Sequence, residues 1–474
     1  MTARSPLPLD RLPHARGRIP LLGDLASVDR RHPTQHEVRL AAHLGPIFGR
    51  KLLGSRVIVV AGADLAAQAC DEDGWARCLA GPGETLRGIV PTGLFTVRSR
   101  DPLWGIAHRV LTPGFTQAAM RAYHEAMASV ADDLIADWAS APEGRVDMHE
   151  AMTAATLEVI ARAGFGRRFG LLGGPGPDGD ARWFVEALAR ILRWASDRTN
   201  DVPVVGTVRG WWQAGQIRRD VAAARRYVDA LIAERRAGHS PAGSDLLALM
   251  LDSVDPETGK ALPDNCIADQ VLTFLVAGHE TTAALLEAAL HYLAVDPALQ
   301  QRLRAEVLAR GGFGYDQISG LRGIRNLLNE TLRLHPPVPG LFRVARTDQE
   351  LGGYRIPQGQ AVFVLSLAAQ RDRLVWGPDA EVFDPSRFEA GRRREFPDAF
   401  FKPFGSGPRA CIGLAFAMYE AQLLLARILT SYFLARPVGV GTRDVSADLR
   451  LYERGTLRPE PYVLTATTLI ASET

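Results

Sequence analysis

The 474-residue chain is 47% hydrophobic, 23% charged and 7% aromatic, proportions that exclude a disordered or collagen-like polymer. Its 55 Lys+Arg against 53 Asp+Glu leave a formal charge of +2, too balanced for the one-sign field of a nucleic-acid binder. The four cysteines Cys70, Cys78, Cys266 and Cys411 are too few and too irregularly spaced for a disulfide framework or a structural zinc site, and no apolar run of about 18 residues reads as a membrane span, so a cytoplasmic protein is expected.

No linker divides the chain, so residues 1–474 read as one domain, mainly β only at 45–62 and 340–370. From Pro46 to Val60 the β-branched run bounded by Gly45 and Gly62 predicts a short strand pair. Phe95 follows in Gly93-Leu94-Phe95-Thr96, and Trp104 and His108 lie one helical turn apart on one face. Apolar residues at three- and four-residue spacing then predict helices over Gln117–Trp138, Arg182–Ser196, Ala214–Ala237 and Pro297–Ala309, with surface loops at Gly170–Asp180 and Asp255–Lys260.

Asp264–Val295 predicts a helix of about 30 residues and about 45 Å. Its centre breaks local rules: Gly278 costs about 1 kcal/mol relative to alanine, Thr281 and Thr282 can bond back to the preceding turn, and His279 and Glu280 stand between two apolar runs. Such a lapse within a good helix often marks a functional site. Glu330 and Arg333 pair at helical spacing in Gly323–Leu334, which Pro336 and Pro337 end. Strand character returns over Tyr354–Ala368 around a turn at Pro357–Gly359, and Arg392–Arg394 reads as a solvated loop. The element content is that of a helix-rich protein with a minor sheet.

The most specific signal is Phe404-Gly405-Ser406-Gly407-Pro408-Arg409-Ala410-Cys411-Ile412-Gly413, followed at once by a helical pattern. Glycines allow a tight path, and the cysteine stands where the loop enters the helix, so the dipole and free N–H groups there are expected to hold a thiolate for iron.

This loop resembles the haem-ligand segment of the cytochrome P450 family, the haem-thiolate monooxygenases, and the match runs in the family's order from Pro46 nearly to the C-terminus. The resemblance implies a mainly α P450 fold, a large helical region with a small β region, and haem b buried between the long central helix and the cysteine loop. Cys411 would be the axial ligand, a thiolate that pushes electron density toward the iron. Phe404 would pack beside its sulfur, Arg409, Trp104, His108 and Arg343 would hold the propionates, and Gly413 and Ala277 would border the macrocycle.

Ala277-Gly278-His279-Glu280-Thr281-Thr282 is similar to the family's oxygen-activation segment, which implies Glu280 and Thr281 as the acid and alcohol that deliver protons. Phe95 and Val338 would line the substrate pocket, and Glu330, Arg333 and Arg387 would form the buried cluster that supports the ligand loop.

Within the family the chain looks most like the haem domain of the self-sufficient bacterial fatty-acid hydroxylases, implying fatty-acid hydroxylation, with tailoring of a terpenoid or polyketide as the alternative. A haem-binding sensor or electron carrier without turnover is the alternative of another class. The expected partners are a hydrophobic small molecule, O2 and a separate ferredoxin or flavoprotein, since no fused reductase is read here. Lys402 and Arg392–Arg394 would receive that donor, and Arg56 would bind a substrate carboxylate.

Overall fold

The computed structural model describes residues 5–469 apart from 53, 99, 174–178, 201–202, 239–244, 397 and 437–448. The long helix Asp264–Val295 is its axis. From Cys266 to Ala294 every residue is buried except Val276–Gly278, Glu280 and Thr281. A helix apolar on all sides belongs in a core, and this one packs against the helices Met148–Val159, Arg322–Leu334 and Leu414–Ser431. Asp296 stops it and starts the next, its carboxylate accepting from Leu299 N (2.8 Å) with Pro297 at the first helical position.

Helix boundaries lie within a few residues of the sequence pattern at Gln117–Ala139, Gly179–Asn200, Pro297–Ala309 and Arg322–Leu334, whereas the helix expected over Ala214–Ala237 starts eleven residues earlier and runs Pro203–Arg236. The side chains of Trp211 and Trp212 and the centre of the 170–180 loop lie outside the described residues.

The expected strand pair forms as Ile47–Leu52 and Ser55–Val60, antiparallel with Lys51 opposite Arg56. It extends into a five-stranded sheet through Ala361–Val364, Leu341–Ala345 and Trp75–Arg77, all antiparallel except Ser55–Val60 with Ala361–Val364. Arg77 is opposite Arg343 at its edge.

The C-terminal region departs from the expectation of β structure at 45–62 and 340–370 alone. Leu451–Arg454 and Thr456–Pro459 form a hairpin over Gly455, at φ +80°, and Val463–Thr468 pairs with both Tyr432–Ala435 and Arg145–Asp147. Strands this short gain their stability from partners far away in sequence, which no local window contains. No helix among the described residues is long and apolar enough to cross a membrane.

Candidate functional site

The ligand loop is shaped by two left-handed glycines, Gly405 (φ +77°) and Gly407 (φ +66°). A Cβ on Gly407 would collide with the Glu72 carboxylate. Cys411 N donates to Phe404 O (2.8 Å), closing the loop, and the helix begins at Leu414 with Gly413 as its N-cap. The Cys411 thiol has open surface, yet surrounding protein pushes its pKa up by burial against the opposing Gly413 N–H. Both observations hold if the sulfur faces an enclosed hollow. Burial thus works against ionising the free thiol, and a cation on the sulfur would favour the thiolate form.

The long helix lines the same region. Phe115 lies 4.0 Å from a Cβ built on Gly413, and its ring centroid is 5.6 Å from that of Phe274, one turn before Ala277. Ala277 is exposed in the middle of this buried helix, flanked by half-buried Val276, Gly278, Glu280 and Thr281. Thr281 Oγ1 donates to Ala277 O (2.9 Å) and Thr282 Oγ1 to Gly278 O (3.0 Å), so both hydroxyls bond back to the turn that borders the hollow. Burial pushes Glu280 up to about 7 and His279 down to about 4, which leaves Glu280 as the group here that exchanges a proton near neutrality.

At the edge of the hollow, Arg409 stacks over Trp104 (4.8 Å) and donates to Val97 O (2.8 Å) and Leu94 O (3.3 Å). Trp104 in turn lies 5.0 Å from His108, whose pKa is lowered by burial and then by Arg409 and Arg109. The Arg409 Nη1 is buried without a partner. Arg77, over the Phe95 ring at 4.8 Å, donates to Phe95 O (2.6 Å). Among the described residues neither Arg77 nor Arg409 meets a carboxylate, and burial pushes them down to about 10 and about 9. Two desolvated, mutually repelling guanidiniums beside a hollow call for an anion.

Arg343, expected in that role, is engaged elsewhere: it donates to Glu72 (2.8 Å), Ala69 O (3.1 Å) and Trp75 O (3.3 Å). Arg77 occupies the anion-seeking position instead. Sequence reasoning missed it because Trp75-Ala76-Arg77 carries no motif, and the strand register that places it is long-range.

Behind the loop, Glu330 takes two bonds from Arg333 (2.7 and 2.8 Å) and one from Asp384 N (2.8 Å), with Arg387 Nε at 3.6 Å. All three side chains are buried. Arg333 also donates to Ala380 O (2.6 Å) and Gln370 O (3.1 Å). Gln370, unmarked in the sequence, carries the cluster to the loop: its amide donates to Leu332 O (3.0 Å), and its oxygen accepts from Lys402 N (3.2 Å).

Phe95 is 47% and Val338 50% exposed, unusual for apolar side chains beside a core this size. These residues suit a flat, partly anionic, iron-bearing macrocycle: a single thiol for the metal, unneutralised arginines for the carboxylates, and a helix face with small residues where the ring would pass.

The family model for cytochrome P450 matches residues 13–461. A bifunctional cytochrome P450/NADPH–P450 reductase 2 of Bacillus subtilis (strain 168) is 36% identical over 449 residues, 94% of this chain and 41% of that protein. Reductase 1 of the same organism is 39% identical over 422 residues, 87% of this chain and 38% of that protein. A self-sufficient cytochrome P450 monooxygenase of Aspergillus niger is 33% identical over 453 residues, covering 94% of the chain and 42% of the relative. The chain thus spans about two fifths of the length of the curated relatives it matches.

Proposed function

Because this chain belongs to the cytochrome P450 family, whose members carry haem on a cysteine thiolate, we propose that it is a haem-thiolate monooxygenase acting on a hydrophobic substrate. It would insert one oxygen atom of O2 into a C–H bond and reduce the other to water. The observation that carries this reading is the conjunction of the Cys411 loop, its thiol open to the surface, with the break in burial at Val276–Thr281 on the long helix and the desolvated, carboxylate-free Arg77 and Arg409.

Haem, when bound, supplies the binding and activation of O2, chemistry no side chain offers. Cys411 would hold its iron through the sulfur, with Phe404 beside that sulfur and Gly413 and Ala277 bordering the ring. Arg409 and Arg77 would neutralise the propionates, with Trp104 and His108 holding the same edge. A carboxyl raised to about 7 holds a proton at neutral pH and can still release it, which suits Glu280 to proton delivery. The Thr281 hydroxyl, bonded to Ala277 O, would pass that proton on. Phe95 and Val338 present apolar surface that would orient substrate and exclude water. Glu330, Arg333 and Arg387 would hold the loop from behind.

We propose a long-chain fatty acid as substrate. Lys51 and Arg56, directly opposite on the first strand pair, provide adjacent cations for a carboxylate. Electrons from NAD(P)H would arrive from a flavin or iron–sulfur donor, a role that the relatives' printed names give to a reductase in the same polypeptide. Arg392 is held by Asp384 (2.8 Å), so Arg394 and Lys402 are the cations better placed to receive the donor.

Titrating the ferric protein with fatty acids, terpenoids and macrolides while following the Soret band tests this reading. A saturable shift with fatty acids, weakened in Arg56→Ala and followed by NAD(P)H-dependent product, is expected. A shift only with a bulkier metabolite would overturn the substrate class. A shift without product from any ligand would favour a haem-binding sensor or carrier.

A further inference from the structure

The segment that carries Phe95 is fastened to the long helix by side chains that the monooxygenase reading does not use. Asp269 Oδ2 accepts from both Thr92 N (2.8 Å) and Thr92 Oγ1 (2.7 Å). Gln270 Oε1 accepts from Leu94 N (2.7 Å), and its Nε2 donates to Thr92 O (2.8 Å). Gly93, between these anchored residues, approaches the helix so closely that a Cβ would collide with the Thr273 hydroxyl. Asp269 and Gln270 are 2% and 0% exposed, so these bonds form out of water. Arg225, on the helix Pro203–Arg236, meets the second oxygen of Asp269 and reaches Ile89 O (3.4 Å).

We propose that Asp269 and Gln270 are positioning residues that fix Phe95 over the hollow and so determine which part of a chain-like ligand lies there. The inference rests on the haem-bound reading above. Residues 269 and 270 precede Ala277 by about two turns of the same helix, roughly 11 Å. The helix that lines the hollow therefore also sets the register of the aromatic residue facing it. Thr92 and Leu94 are bonded immediately before Phe95, and Phe95 O is bonded to Arg77 immediately after the anchors, so its backbone has little freedom to drift.

A buried carboxylate neutralised by an arginine from a third segment contributes little net stability against its desolvation, and register is the best-attested use of such a pair. An apolar contact would hold the segment to the helix; only directional bonds fix its residue-by-residue position.

The test uses the haem-loaded protein and n-alkylimidazoles of graded length, which ligate haem iron through nitrogen and report chain packing beside Phe95 whether or not the protein hydroxylates anything. In Asp269→Ala and Gln270→Ala the preference among chain lengths should change by about tenfold, the scale of a displaced methylene. Amide exchange at Thr92 and Leu94 should accelerate, while Asp269→Asn, which keeps an acceptor for Thr92, should restore most of the wild-type preference. Thr92→Val removes only the hydroxyl bond and decides the matter if Asp269→Ala does not fold; a smaller change in the same direction is expected. An unchanged length preference in variants with accelerated exchange at 92–94 would overturn the proposal. A wild type that yields no product yet shows the length preference would sink the monooxygenase reading while leaving this one decided on its own evidence.

Discussion

Glu330 and Glu280 are both helical carboxyls drawn out of water, on opposite sides of the Cys411 loop, and their surroundings could hardly differ more. Glu330 receives Arg333, Asp384 N–H and Arg387, so the upward push of burial, which still prevails, is opposed from three directions. Glu280 is answered only by the field of Arg458, which is itself bonded to Glu287. A desolvated acid with every lone pair filled is rigid and holds structure; one left without a partner keeps its proton near neutrality and can move it. The same residue type thus serves support on one side and chemistry on the other.

Removing an arginine from the filled side tests the comparison hardest. Arg333→Ala leaves buried Glu330 with only the Asp384 N–H and the longer contact to Arg387, and is expected to cost about 3–5 kcal/mol, read as a fall in the urea midpoint together with loss of haem from the purified protein. On the open side, Glu280→Gln should leave folding intact and lower the rate of product formation by about 10²-fold, about 2.7 kcal/mol in barrier. If Glu280→Gln destabilises the protein as much as Arg333→Ala does, the two carboxyls have the same role and the comparison fails.

Titration sharpens the contrast. A carboxyl raised from 4.5 to about 7 binds its proton more tightly folded than unfolded, so its stabilising contribution is complete below about 4.5 and is lost as pH climbs to about 7. Product formation should decline above neutrality as Glu280 loses that proton. Glu280→Gln should flatten the pH–rate profile and remove one share of the stability trend, to which Glu37 and Glu287, also pushed up to about 7 by burial, contribute as well; a pH–rate profile unchanged in the variant would assign it to another group.

Gln370 connects the filled cluster to the loop, and Gln370→Ala strands carbonyls of the Arg322–Leu334 helix and the Lys402 N–H. A cost of about 2 kcal/mol is expected, with faster amide exchange at Lys402 as the specific sign that the loop has lost its tie.

What was legible in the sequence divides along the same line. The ligand loop, the long helix and its chemically odd centre are local, and each was readable from spacing alone: Asp264–Val295 and Pro297–Ala309 have the boundaries their periodicity predicts. Glu330, Arg333 and Arg387 needed the family resemblance, because a carboxylate and an arginine three apart also describe an ordinary helix surface. The C-terminal strands, Gln370 and the Asp269–Thr92 tie depend on segments brought together across the chain, and no window of neighbours contains that information.

Arg77 and Arg343 show the limit most sharply. Both are arginines on adjacent strands, opposite each other in register, and nothing local says which faces the hollow. The distinction comes from Glu72, which neutralises Arg343 and leaves Arg77 and Arg409 to repel each other in a desolvated edge. An anion there relieves that repulsion, so binding of the propionates and the folded state of this edge support each other. Arg77→Gln should therefore weaken haem retention by about tenfold, about 1.4 kcal/mol, while making the haem-free protein no less stable, because a buried unpaired charge is removed. Arg343→Gln should do the reverse, lowering the urea midpoint of the haem-free protein with little change in haem retention, since it takes a guanidinium from Ala69 O and leaves Glu72 and Trp75 O to Arg346. Haem transfer to an acceptor protein and urea melts of the haem-free form separate the two outcomes. Equal haem loss in both variants would return Arg343 to the cofactor's edge.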